Sequence, residues 1–255
     1  MSVAAWSKDR FRTVRALRER EGRVDAGLQL LEGPRLVGEA LERGMVLEVL
    51  LRDGAPEELW RSRVGPVPLT LVPTADFERL CDTRSPQDVL AVGPLSTELP
   101  VVQLLERCRR VLYLEGVQDP GNCGALLRTA CALGIEAVLF APGCADSSSS
   151  RVLRAAAGAS LRLLQGRATT DELQAAVRWS EHTIVIPVVH GGVDALGFAA
   201  PERFVLVAGN EGQGTALSAA AGKLVTIPMA GSMESLNVAA AVAVLLGRWW
   251  RGPQR

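Results

Sequence analysis

Short apolar runs rich in Val, Leu and Ile alternate along the chain with stretches whose apolar residues recur at helical spacing. Gly, Pro, Ser and Asn punctuate the joins. On this pattern residues 6–20 form a basic helix and residues 27–32 a strand, and Gly33-Pro34 opens a helix to about Glu42, with Gly44 at its end. Strands at 46–51, 67–72 and 89–92 alternate with helices at 56–64 and 74–81. Thr74 is the expected N-cap of the second helix, with Phe77 and Leu80 on its buried side. The alternation closes a small α/β domain over residues 1–95. Residues 93–100 (GPLSTELP) have the composition of a connector, and 96–108 are assigned as linker.

The pattern restarts beyond the linker. Strands are expected at 111–114, 135–140, 161–164, 183–189, 204–207 and 224–227, and helices at 122–133, 149–157, 171–179 and 236–250. Continuous apolar strands alternating with helices imply an α/β domain over residues 109–255, its mostly parallel sheet covered on both faces.

Charge narrows the partners. The 255 residues carry 28 basic and 28 acidic side chains, so bulk charge does not hold this chain to a polyanion. Locally, residues 8–23 hold seven Lys/Arg against three acids, which reads either as a solvated helix face or as a polyanion contact. The five cysteines (81, 108, 123, 131, 144) have no metal-like spacing and there are only two histidines, so reduced thiols and no metal are expected. The N-terminus has no apolar signal region, and the longest apolar stretch, residues 236–247, is too short to span a bilayer and contains Asn237. A cytoplasmic protein without membrane contact is the expectation.

Candidate chemistry sits in three segments: residues 119–129 (DPGNCGALLRT), 209–214 (GNEGQG) and 227–237 (IPMAGSMESLN). Each joins a β-rich run to a Gly- or Pro-marked turn, where α/β proteins place their ligands. Asn122, Arg128, Asn210, Glu211, Ser235 and Asn237 are polar residues with no packing role in otherwise apolar surroundings. Asn122 suits an N-cap. Arg128 reads as a snorkelling or paired arginine or as a ligand contact, and the neighbouring glycines and Asn122 favour the ligand. Glu211 taken alone is an exposed turn carboxylate. Ser235 suits an N-cap, whereas Asn237 beside Ala and Val is harder to explain by packing. The glycines of the second segment are spaced GxxGxG, which does not match a dinucleotide fingerprint.

In order, DPGNxGxxxRT, a strand followed by GNEGxG, and IPMxGxxESLNVxxA resemble the SpoU (TrmH-like) branch of the SPOUT methyltransferases across residues 109–250. Residues 31–40 (LEGPRLVGEA) and 85–92 (SPQDVLAV) resemble the small RNA-binding domain often attached in that family. The resemblance implies a SPOUT-type sheet with a deep trefoil knot, preceded by that small α/β domain. It implies S-adenosylmethionine as cofactor, held at Gly209, Ile227, Met229 and Leu236, and catalytic roles for Asn122, Arg128, Glu211, Ser235 and Asn237. Arg154, in a segment where the family reads SPKxxRAxxGA, is implied as an RNA contact. The expected reaction is methyl transfer to a ribose 2'-hydroxyl of RNA, ribosomal RNA ahead of tRNA, by a homodimer. Arg128 is cast either as the base or as the group that binds phosphate and orients the hydroxyl. The other reading, from a different class, is an RNA-binding or assembly protein with the same fold and no catalysis.

Overall fold

The computed structural model describes residues 6–83, 85–210, 214–231 and 235–250. They form two compact units, Met1–Ser96 with Asp146–Leu161, and Thr97–Ala145 with Arg162–Arg255.

The chain begins the first unit with α1 (Lys8–Ala16), α2 (Arg20–Ala26), β1 (Leu28–Glu32), α3 (Pro34–Glu42), β2 (Glu48–Arg52), α4 (Glu57–Val64), β3 (Leu69–Val72), α5 (Thr74–Leu80) and β4 (Val89–Pro94). The sheet order is β1-β4-β2-β3. β4 runs antiparallel to both of its neighbours, while β2 and β3 are parallel. The N-cap of α5 is Pro73 rather than Thr74, which takes the first helical position.

The basic helix expected over residues 6–20 is broken in two. The side chain of Arg23, on α2, turns back and donates to the carbonyls of Leu17 at 2.9 Å and Arg18 at 2.8 Å. Carbonyls at a helix C-terminus lack intrahelical partners, and an arginine supplies them. Gly22 makes the fold-back possible, because a Cβ there would lie 2.2 Å from the Ala16 carbonyl oxygen. The consequence for charge is direct. Arg10 pairs with Glu48, Arg18 with Asp82, and Arg23 is buried against Asp146. These three of the seven basic side chains of residues 8–23 hold the unit together.

The second unit starts with α6 (Val101–Arg107), so residues 96–108 do not run as an open connector: Leu104 and Leu105 are buried in the core of this unit. Next come β5 (Arg110–Leu114), α7 (Pro120–Ala132) and β6 (Ala137–Phe140). The chain then contributes α8 (Ser150–Ala156) to the first unit, where Leu153 joins the cluster around Leu31, Val37 and Trp60. It finishes with β7 (Leu164–Arg167), α9 (Thr170–Val177), β8 (Thr183–Pro187), β9 (Val193–Asp194), β10 (Phe204–Ala208), β11 (Lys223–Thr226) and α10 (Val238–Trp249) in the second unit.

The second sheet has the order β7-β6-β5-β10-β8-β11-β9, and every neighbouring pair is parallel. Val111, Tyr113, Val205 and Val207 pack on one face with α6 and α9. The alternate residues Leu112, Leu114, Leu206 and Ala208 are equally buried, and α7 and α10 pack against each other, α10 also against β10. Both faces are therefore covered, which is why the strands read as unbroken apolar runs. No helix among the described residues is long and apolar enough to cross a membrane.

The Arg23–Asp146 pair ties α8's segment into the first unit: their side chains are 4% and 21% exposed, and Ser148 adds a bond to each partner. Arg23→Met is expected to cost about 2–3 kcal/mol of stability, because it leaves a half-buried carboxylate without its cation and the Leu17 and Arg18 carbonyls without a donor. Burial raises the Asp146 carboxyl, but hydrogen bonds from Ser148 and the Arg23 guanidinium outweigh it and hold the pKa below the ordinary 3.8. A depressed carboxylate contributes stability above its unfolded pKa and loses it as pH falls through the folded value. Urea melts of the parent and of Asp146→Asn should therefore differ at about pH 7 and converge only as the pH falls below 3.8. A gap that stays constant over that range would show that Asp146 ionisation is not what stabilises the unit.

Candidate active site

In the second sheet the order of strand connections reverses between the parallel neighbours β5 and β10. The chain leaving β5 passes through α7 to β6 on one side, and the chain leaving β10 goes to β11 on the other. At such a reversal the loops beyond the strand ends diverge and open a crevice. Here those loops are the turn after Leu114 and the turn after Ala208, with the turn after Thr226 nearby.

Two cavities open there. The larger, about 410 Å³, is bounded by Pro187–Val189, Gly209, Gly214, Ile227, Met229 and Leu236. The smaller, about 280 Å³, is bounded by residues 116–119 together with Asn122, Asn210 and Val238. Gly209, Asn210 and Val238 belong to both, so the two cavities share a wall. At Gly209 only glycine fits, since a Cβ would lie 2.6 Å from the Gly214 carbonyl oxygen. Asn210 and Gly214 then close the turn with a reciprocal pair of backbone hydrogen bonds, each 2.8 Å.

The ends of two helices meet at the smaller cavity. α7 is capped by Asp119, whose carboxylate accepts from the Asn122 amide at 2.7 Å, with Pro120 at the first position. Asn122 is therefore not the N-cap. α10 is capped by Asn237, not Ser235: its Oδ1 accepts from Ala239 at 3.0 Å and Ala240 at 3.3 Å. Its Nδ2 remains and donates to Asn122 Oδ1 at 3.1 Å. One asparagine thus caps a helix with its oxygen and bridges to a second helix with its nitrogen. That resolves why an amide stands at the head of an apolar helix.

All four residues expected to hold a cofactor (Gly209, Ile227, Met229 and Leu236) line the larger cavity, as does Ser235. Glu211 lies outside the described residues. Arg128 does not join this group: it is exposed on α7, lines neither cavity and makes no hydrogen bond or ion pair among the described residues. Arg154 belongs to the first unit, where its guanidinium contacts Glu32 at 3.2 Å and Asp82 at 3.3 Å, with Ser150 also bonded to Asp82. Its side chain is engaged internally. Sequence reasoning missed the loop of residues 187–189, whose apolar run beyond β8 was the available signal, and the Asp119-Pro120 pair, a recognisable helix start. Among the described residues no group of three or more His, Cys, Asp or Glu is placed to hold a metal ion.

The larger cavity suits a nucleoside-type cofactor. It falls in the roughly 300–1,000 Å³ range of small-ligand sites and combines apolar walls with a few main-chain groups. Val188, Val189, Ile227, Leu236 and Val242 supply the walls, and Gly209 and Gly214 expose backbone.

Residues 109–247 match the SpoU rRNA Methylase family, and residues 8–91 match a domain described as MRM3-like substrate binding. The chain is 31% identical over 235 residues to the 23S rRNA (guanosine(2553)-2'-O)-methyltransferase RlmP of Bacillus subtilis (strain 168), covering 90% of this chain and 91% of that protein. A TrmH-family structure from Porphyromonas gingivalis superposes with a TM-score of 0.84 at 33% identity, over 96% of this chain and 98% of that one. An AdoMet-bound rRNA methyltransferase from Sinorhizobium meliloti gives 0.84 at 25% identity, over 97% of each chain. Because the family match takes in the loops after β5, β10 and β11 that build both cavities, this protein belongs to the SpoU rRNA Methylase family.

Proposed function

We propose that this protein methylates a ribose 2'-hydroxyl of ribosomal RNA, using S-adenosylmethionine. The observation that carries this reading is the pair of cavities sharing the Gly209-Asn210 wall, one apolar and cofactor-sized, the other edged by amide side chains. When bound, S-adenosylmethionine supplies a methyl group on a sulfonium centre. Gly209, Ile227, Met229 and Leu236 would hold it through main-chain groups and apolar contact. The smaller cavity is assigned to the target nucleotide, with Asn122 and Asn237 fixed against each other at the helix starts that meet there, and Ser235, on the wall of the larger cavity, is assigned to the same constellation. Glu211 is assigned to the same constellation on the strength of its motif. A trefoil knot is part of this proposal on the family resemblance alone.

Arg128 is the residue that one copy leaves out of both cavities. We assign it to the active site of a second copy in a homodimer. An apolar surface that includes Leu196, Leu236 and Val244, which are 62%, 39% and 45% exposed, supports an association of this kind. A guanidinium stays charged in proteins, so the role fitting Arg128 is to bind phosphate and orient the ribose hydroxyl rather than to accept its proton.

Incubation with labelled S-adenosylmethionine and unmodified rRNA or tRNA, followed by nucleoside analysis, should place label in a 2'-O-methylnucleoside of rRNA. Cofactor binding without transfer to either RNA or to a ribosomal particle would favour the assembly-protein reading.

Arg128→Ala should lower turnover by about 100-fold or more while calorimetric cofactor affinity stays within about three-fold. Mixed with an inactive cofactor-site variant such as Gly209→Val, it should regain activity through hybrid dimers. Mixing without any recovery, in dimers shown to exchange subunits, would place Arg128 outside the partner's site.

Asn237→Asp separates capping from bridging. The carboxylate still caps α10, but it cannot donate to Asn122, so turnover should fall about 10-fold with the melting temperature unchanged. An unchanged rate would leave Asn237 as a helix cap only.

A further inference from the structure

Glu115 follows β5 directly and lines neither cavity, yet its carboxylate gathers three donors. One oxygen accepts from Thr170 at 3.1 Å and from the Ala216 amide at 3.0 Å, and the other accepts from the Thr215 hydroxyl. Thr215 in turn accepts from the Leu217 amide at 3.1 Å. The next residue, Gly116, offers its carbonyl to Asn210 Nδ2 at 2.9 Å. Two consecutive residues at the end of β5 therefore grip both ends of the glycine-rich turn, Gly116 at its entry and Glu115 at its exit.

The anchor is itself held. Thr170, at the start of α9, also contacts the hydroxyl of Tyr113, a fully buried residue of β5 whose hydroxyl donates to the Ala168 carbonyl at 3.3 Å. The Glu115 amide continues the ladder by donating to Ala208 at 2.9 Å. Gly214 and Thr215 are walls of the larger cavity. A turn flanked by glycines has large conformational freedom to lose when it closes on a ligand. A carboxylate with three donors removes much of that freedom in advance, and its hydrogen bonds are charge-assisted.

We propose that Glu115 is a positioning residue for the cofactor site, holding Thr215 and Ala216 so that the wall at Gly214 is formed before the ligand arrives. The proposal rests on the reading that the larger cavity takes S-adenosylmethionine. Glu115 acts through the turn and touches neither cofactor nor RNA.

The test uses the full-length protein with Glu115→Ala, Thr215→Val and Thr170→Val, folding being checked by circular dichroism and thermal melting. By calorimetry, S-adenosylmethionine affinity should fall about ten-fold in Glu115→Ala and by a smaller factor in Thr215→Val. It should stay within about two-fold in Thr170→Val, which leaves both contacts to the turn in place. In steady-state assays KM for the cofactor should rise with KM for RNA and kcat at saturating cofactor preserved. Without ligand, the Ala216 amide should exchange about ten-fold faster in Glu115→Ala, with the amides of β10 unchanged.

Unchanged exchange at Ala216, or unchanged cofactor affinity in a folded Glu115→Ala protein, would overturn the proposal. A Glu115→Ala protein that does not fold shifts the decision to Thr215→Val, where an unchanged affinity is equally fatal. If the parent protein itself fails to bind S-adenosylmethionine, the cofactor reading falls, and the proposed role in cofactor binding falls with it. The exchange result then decides only whether Glu115 holds the turn.

Discussion

The reversal of connection order between the parallel strands β5 and β10 is the constraint on which the rest depends. Parallel strands that pair side by side send their chains out at the same end of the sheet. When one continues left and the next right, their exits cannot pack against each other and a crevice remains. β5 and β10 are registered from Arg110–Phe204 through Leu114–Ala208, so both exits emerge at the same level. Glycines at 116 and 209 let the two turns approach, and the cavities are the space those turns leave.

Helix starts then decide what faces that space. Asp119 caps α7 in place of Asn122, while Asn237 caps α10 with its oxygen and donates with its nitrogen. The Asn237–Asn122 bond follows from that division of hydrogen-bonding groups, and it fixes two helix ends that lie 115 residues apart in the chain. Polar atoms at the site are thus satisfied first by local structure and then by each other across the two helix starts.

In the first unit a buried arginine has the equivalent place. Arg23 caps α1, pairs with Asp146 and bonds Ser148, so it joins the first helices to a segment over a hundred residues later in the chain. Arg154 and Asp82 extend the same set of contacts to Glu32 and Ser150. Much of the positive charge that looks like a polyanion-binding run in the sequence is thereby committed within the unit.

The sequence by itself determined the alternation of strands and helices, the restart of the pattern after residue 100, and the three loops that bear polar residues. Those features are local, since apolar period and turn chemistry act over a few residues. The four cofactor-site candidates came from the family resemblance of the ordered motifs, and all four line the larger cavity. Tertiary structure alone decided what depends on distant partners. Residues 96–108 are partly helical because Leu104 and Leu105 meet a core made of other strands. α1 stops short because Arg23 folds back on it, α8 joins the first unit because the partners of Asp146 and Leu153 lie there, and Asn237 has meaning only beside Asn122. Hydrophobic period carries no record of which distant groups will satisfy a buried charge or a spare amide, so those assignments exist only in the folded chain.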